Sequence, residues 1–481
     1  MECEGIISCG ELKTEPVHFI EIDEIEINRN INEHMLFEVA GRINEEEKGH
    51  YTRELNFGTE MIVRYKNGKI LFRGLITETE LKHQGEFYVL RVKGCSHTVL
   101  LDMTKRTRPF HNTDGTYTQI FQSIASEYTG ANAVISDNYL TKTDQFLMQY
   151  RETDWEFMKR LASHKQQGII ADCTVAHPAY YVGTPKLYTD VENSKGGYQI
   201  KKDLKAYKKA LDVPEYRAVD AEYITYTVCM DEWLNLGEEV IYKGLKLCVK
   251  SAHSVLEHAV LVHRYELCVK EGLNQRKTYN EMLAGKSVMG KVEAVNRDIV
   301  KVRVQEEQSG QNTDSNTGVG ESCRFPYSTV YATRDGSGWY CMPETGDKVR
   351  IIFPDSDEKN AYASSSVSEY QPGPQEKDRM ADYRRRYIRN PQGMEVAWTP
   401  EQINISANGA CVATFDQKGV LTLSANSKII LHSAGDIFIE AGNQIKMNAS
   451  DCINMVCGGK GEINISQDGV IELKGNEVYT N

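Results

Sequence analysis

The sequence has no basic surplus. Of its 481 residues, 56 are Lys or Arg and 68 are Asp or Glu, a formal net charge of −12. Neutralising a phosphate backbone needs the opposite balance, which disfavours a general nucleic-acid binder. No apolar run approaches the roughly 18 residues that a membrane-spanning helix requires. The opening Met1-Glu-Cys-Glu-Gly is acidic where a secretory signal places positive charge ahead of an apolar core, so a cytoplasmic protein is expected. Pairing signals for cysteine are missing as well: the 12 cysteines are scattered and no Cys-x-x-Cys occurs. In a long chain without a signal, that pattern predicts reduced, buried, inert thiols. Proline is scarce (12) and ends at Pro400, and arginine ends at Arg389. The last fifth of the chain is therefore built differently from a length that otherwise predicts two to four domains.

What fills that last fifth is a repeat. Leu421, Ile429, Ile437, Ile445 and Ile453 stand eight residues apart, and Leu423, Leu431, Ile439, Met447 and Met455 follow two residues later. Small and turn-forming residues occupy the rest of each unit. The frame extends back to Ala413/Phe415 and Ile403/Ile405 and resumes at Ile463/Ile465 and Ile471/Leu473. A fixed period is read first as repeat architecture. Apolar-polar-apolar units predict short strands with one buried face. A helix is disfavoured because an eight-residue period drifts around a 3.6-residue spiral. The missing prolines agree, since strands in a continuous stack must donate their N–H groups. Eight residues supply one strand and one corner, too little for a single chain to enclose a core. The expected solution is three chains forming a triangular prism, with Leu421, Leu423, Ile429, Leu431, Ile437, Ile439, Ile445, Met447, Ile453, Met455, Ile463 and Ile465 on the shared axis. A single-chain solenoid or an irregular sandwich is the competing reading.

Upstream, Gly290–Val295 and Ile299–Val304 alternate as strands around a tight turn, followed by a polar loop over 305–320 expected to be exposed and mobile. The segments Cys323–Tyr327, Gly338–Tyr340 and Pro343–Phe353 follow. Pro343 through Asp347 reads as a turn into a strand, with Gly346 available for positive φ. Four or five strands in this span predict a five-stranded barrel of OB type. Such barrels bind single strands through aromatics, but Trp339 beside Gly338 is expected to pack as core.

This order, a Pro-x-x-Gly-Asp-x-Val barrel, a connector (Tyr387–Trp398) and an octad β-helix, resembles the VgrG family, the spike of contractile phage tails and type VI secretion. The N-terminal half is similar too. Strands are expected at Val17–Ile22, Leu36–Ala40, Met61–Tyr65, Ile70–Ile76 and Phe87–Val92, with Asn67-Gly68 as a hairpin turn. A helix is expected over Tyr117–Tyr128. A second, capped by Thr153 and Glu156, carries Trp155, Met158, Leu161 and Ala162 on one face and closes at Gly168. The run containing Tyr150, Glu152, Thr153, Asp154, Phe157, Arg160 and Leu161 resembles a VgrG signature. Residues 220–270 return to strands.

The resemblance implies a mainly β fold: a tube-docking barrel (1–105), a helical/mixed insertion (106–200), a second hub barrel (201–280), an OB barrel (285–358), a linker (359–390) and a trimeric needle (391–481). It implies a structural homotrimer that contacts a hexameric tail tube, baseplate proteins and a PAAR-type tip protein, carries effector cargo, and meets the target membrane transiently. No nucleic acid, cofactor, metal or catalytic residue is expected. Delivery out of the cell would follow contraction.

Motifs for chemistry are few. Asn280–Ser287 imitates a P-loop but lacks its first glycine. His253, His258 and His263 are spaced unsuitably for one metal, and His432 is isolated. Arg384-Arg-Arg386 with Arg389 reads as a connector or salt-bridged collar, and Lys201–Lys209 as surface. Asp355, Asp357 and Glu358 are expected in an open loop without an apolar pocket to raise a pKa. The span from Phe353 to Arg389 is too short to hold an inserted muramidase, and no domain is expected after the needle. The rival class is an enzyme, a tail-associated hydrolase or a polysaccharide-degrading β-helix. That class would want grouped charges where the octads offer isolated Lys428, Asp436, Lys446 and Asp451.

Overall fold

A computed structural model describes residues 7–65, 68–191, 197–211, 218–305 and 322–479, which fall into two compact units, 1–368 and 369–481. The expected loop at 305–320 and the Asn67 turn position lie almost wholly outside the described residues; Gly68 itself has φ +84°.

The first unit is organised by one large sheet. Alternation in Glu21–Asn30 buries Ile25 and Ile27 on one face, and this strand pairs with Leu36–Ile43, which pairs in turn with Phe87–Ser96. Lys69–Gln84 and Glu60–Tyr65 extend the sheet on that side. On the other side Leu245–Glu257 pairs with Glu21–Asn30, placing Ala252 opposite Arg29, and Val260–Cys268 and Ile224–Met230 follow. The two strand-rich blocks expected as hub barrels thus share one thirteen-stranded sheet. Phe37 stacks on Phe72 at 4.9 Å in its core.

Two helices, Tyr117–Ser126 and Asp154–Ser163, both with capping boxes, pack against each other and on the short strands Asn132–Ile135, Leu147–Glu152 and Ile169–Ala171, and share the core of the first unit. Thr153 Oγ1 accepts from the Glu156 N–H at 3.1 Å, and the Glu156 carboxylate accepts from the Thr153 N–H at 2.9 Å. Trp155, Met158, Leu161 and Ala162 are fully buried, as their spacing predicts. The helix does not close at Gly168. Its last turn ends at His164, and Gln166 takes the left-handed conformation at φ +56°. Gly168 is required for a different reason: a Cβ there would meet Ile31 Cγ2 at 2.4 Å.

Ser287–Asn296, Ile299–Val304, Cys323–Ser328, Lys348–Ile352 and Tyr362–Ser366 close the barrel, the fifth strand lying between the third and fourth and parallel to the third. That is the OB arrangement. The barrel runs past residue 358 to Ser366, because its last strand lies in the span expected as linker.

The second unit holds an antiparallel meander from Arg386 to Ala425 and a three-stranded one from Cys452 to Lys474. Between them, residues 427–451 form neither strand nor helix, and no backbone hydrogen bond joins them to another described residue.

The thiols divide. Cys95, Cys173, Cys248, Cys268 and Cys323 are buried as expected, whereas Cys229, Cys341, Cys411, Cys452 and Cys457 are exposed, contrary to expectation. On short half-exposed strands and loops a cysteine has no core to enter.

Candidate functional site

The VgrG-like signature forms a buried charged junction rather than an open site. It begins on the strand Leu147–Glu152, where Met148 and Tyr150 point into the barrel core with Phe146, Phe325 and Phe353. The Asp154–Ser163 helix follows directly. Arg160, 3% exposed, grips both oxygens of Glu152 at 2.8 Å through Nε and Nη2. It also donates to the Met148 carbonyl at 2.8 Å and to Glu358 Oε1 at 2.7 Å. Glu358 is therefore not in an open acidic loop. It caps the barrel side of a buried ion pair that reaches back 198 residues. Asp355 and Asp357 instead shape the turn, Asp357 accepting from the Lys359 N–H at 3.2 Å.

Asp154, fully buried, accepts from Gln149 Nε2 at 2.9 Å, from Tyr128 Oη at 2.6 Å and from Arg108. Phe157 stacks on Phe110 at 5.1 Å, and Leu161 is fully buried. The charged side chains Glu152, Asp154 and Arg160 and the Thr153 hydroxyl are each paired with a neighbour, as buried charges require. Asn280 also belongs here: its Nδ2 donates to the Tyr150 carbonyl at 2.8 Å. The segment resembling a P-loop is thus a tied linker, with Leu283 buried and the Gly285 N–H bonded to the Phe353 carbonyl at 2.8 Å.

Two histidines border the junction. His111 Nε2 accepts from the Val304 N–H at 2.9 Å; burial, aided by Arg303, pushes its pKa down to about 4. His164 meets Tyr117 Oη at 3.2 Å, and burial beside Arg160 lowers it to about 3.

At the barrel turn, Gly346 has φ +102°, a backbone conformation that favours glycine, and the Glu344 N–H donates to Asp347 Oδ2 at 2.9 Å. The Gly346 N–H bonds to the Val292 carbonyl, and the Val292 N–H to the Asp347 carbonyl, locking the turn to the first strand. Pro343, buried, leads into it. Trp339 corrects the expectation of core packing: it is 58% exposed, on a loop held by its own N–H to the Tyr331 carbonyl. The barrel interior is already filled by Val, Ile and Phe side chains, which leaves the indole outside.

The octads lie open. Of the twelve positions expected on the axis, all but half-buried Ile453 are between 36% and 69% exposed in the single chain. An apolar surface repeated at this regularity marks a face to be covered. Ahead of it, Arg385 and Arg389 share Glu395 and Arg384 pairs with Asp382, so three of the four arginines of the basic run have an acidic partner, two of them the same one.

Other candidates resolve into structure. His263 is buried against Ser254 Oγ at 2.7 Å, His253 meets Glu26 at 3.1 Å and His258 sits in a turn at φ +49°. His34 lies between Thr98 Oγ1 (2.8 Å) and Asp102 Oδ2 (3.3 Å), which imitates a catalytic triad. The Thr98 hydroxyl is fully buried and hydrogen-bonded to Ser96 Oγ, so it meets no substrate. Among the described residues no helix is long and apolar enough to cross a membrane.

Residues 30–171 match the family model of the phage tail baseplate hub (GPD), a stretch running from the first sheet through the signature helix. Two chains of the Francisella PdpA–VgrG complex share the fold. The half-lidded form gives a TM-score of 0.53 at 8% identity, covering 87% of this chain and 88% of that one. The lidded form gives 0.52 at 9%, covering 84% and 76%. A type VI secretion system component of E. coli gives 0.49 at 12% identity over 74% of this chain and 99% of its own. No curated protein matches. The fold is thus shared with chains of the PdpA–VgrG complex, and residues 30–171 resemble the GPD baseplate hub of phage tails.

Proposed function

We propose that the chain is one third of a homotrimeric central spike in a contractile injection machine. The observation that carries this reading is the open octad face: an apolar row eight residues apart, following an OB barrel, that a lone chain leaves exposed. Three copies would bury it on a common axis and supply the missing ladder partners of residues 427–451. The hub sheet would dock on a hexameric tail tube within a baseplate. A PAAR-type protein would cap the needle, and effector cargo would travel with it. The role is mechanical and non-enzymatic: sheath contraction drives a rigid, fully paired rod against a membrane.

Light scattering on the full chain and on a chain ending near Pro391 tests this. The full chain should give three times 54.5 kDa and the truncated one a smaller assembly. A monomeric full chain, or a trimer unaffected by truncation, would overturn it.

A further inference from the structure

Arg29 stands where an apolar residue should. In Glu21–Asn30 it is in phase with inward-facing Ile25 and Ile27, and it is 4% exposed. Its guanidinium carbon lies 3.7 Å from the centroid of the Trp233 ring, and Nη1 donates to the Leu234 carbonyl at 2.9 Å. Nε and Nη2 are hidden from solvent and make no hydrogen bond of ordinary geometry among the described residues; the Tyr265 hydroxyl beside the guanidinium already accepts from the Leu234 N–H at 2.9 Å and donates to the Glu232 carbonyl at 2.8 Å. These two atoms form the edge of a guanidinium that takes a carboxylate side-on. The molecule uses that edge elsewhere, in Arg384 with Asp382 at 3.0 and 2.9 Å and in two less exposed pairs. Arg73 holds Glu60 through Nε and Nη2, both at 2.7 Å, and Arg160 holds Glu152 at 2.8 Å. Arg29 presents the same edge without an acid. A buried cation in this state is destabilised unless an anion joins it.

Arg29 also lines a cavity of about 190 Å³ with Met35, Ile170, Leu187, Leu236 and Asp172. One oxygen of Asp172 is engaged locally: its Oδ1 accepts from the Thr174 N–H at 2.7 Å and from Thr174 Oγ1 at 2.6 Å, and no bond joins Asp172 to Arg29. At about 30 Å³ per water, the space holds about six waters, or one carboxylate with a short apolar stem. Half-buried Trp233 covers the guanidinium, so an occupant enters by displacing that wall.

We propose that this cavity binds a carboxylate, gripped side-on by Nε and Nη2 of Arg29, with its stem against Met35, Ile170 and Leu236. The carboxylate comes from a small free acid or from the C-terminus of a partner chain. The apolar contacts at Met35, Ile170 and Leu236, beside the polar Thr174 and Asn235 that also line the cavity, favour either over inorganic phosphate. The site lies wholly within the hub and does not depend on the octads or on the spike reading.

The test is titration of the full chain with propionate, butyrate and glutarate, with phosphate and chloride at matched ionic strength, and with a short peptide bearing either a free or an amidated C-terminus. Saturable binding by at least one carboxylate is expected, with affinity at least tenfold weaker in R29K, which keeps the charge and loses the fork. R151K, at an exposed arginine, should bind as the parent does. Saturation by the free acids identifies a small acid, and saturation only by the free-ended peptide identifies a chain terminus. If R29K does not fold, crystals of the parent soaked in 3-bromopropionate should show the bromine in the cavity. Absence of saturable binding, equal binding by R29K, an equal response to phosphate, or a density map with only water or Asp172 on the Nε–Nη2 edge would overturn the proposal.

Discussion

Acid sensitivity resides in single buried histidines. His111 and His164 are neutral in the folded chain, and burial holds their pKa values at about 4 and about 3, below the ordinary 6.5. Above pH 6.5 neither form is protonated and the histidines contribute no pH dependence. As pH falls below 6.5, the unfolded chain takes up protons that the folded chain refuses, so stability declines towards pH 4. Thermal melts between pH 7 and 4 should show this decline, and replacing His111 with Gln should flatten part of it. At the helix start, Thr153→Ala removes a cap and should cost about 1 kcal/mol in urea unfolding. Arg160→Ala leaves Glu358 and Glu152 without their cation in a buried site. It should cost about 3–5 kcal/mol, far more than a surface arginine. The cap was legible in the sequence because Thr153 and Glu156 are three residues apart. The pairing of Arg160 with Glu358 was not, because nothing local ties two residues separated by 198 positions.

Elements differ in how much of themselves they reveal. The strands Leu36–Ile43, Glu60–Tyr65 and Phe87–Ser96 follow from two-residue alternation, and the octad frame follows from a fixed period. The frame also sets a face. Ile437 should lie on the covered side and Ile430, one step out of phase in its unit, on the open side. Ile437→Asp is therefore expected to dissociate the assembly in light scattering, and Ile430→Asp to leave it intact; the reverse result would refute this register. Trp339 was misread for the opposite reason. Large aromatics are usually buried, but this one sits on an excursion outside a barrel already filled. Trp339→Ala should change stability by no more than about 0.5 kcal/mol.

At the scale of the molecule, the barrel and the thirteen-stranded sheet belong to one compact unit, and Met148 and Tyr150, on a strand paired with Arg106–Phe110, enter the barrel core. Removing residues 369–481 should leave the thermal midpoint of that unit unchanged while abolishing trimer mass. A large fall in the midpoint would mean that residues 369–481 stabilise that unit. By itself the sequence determined what depends on near neighbours: the strand alternation, the two helices and the cap of the second, the barrel turn at Pro343–Asp347, and the octad repeat. Only the tertiary structure decided what depends on distant neighbours: the fusion of two strand blocks through Leu245–Glu257 and Glu21–Asn30, the burial of Glu358, and the unpaired edge of Arg29. The physical reason is one of range. Hydrogen-bond periodicity and side-chain alternation act over a few residues and leave a pattern in the chain, whereas the pairing of buried charges is settled only when remote segments pack.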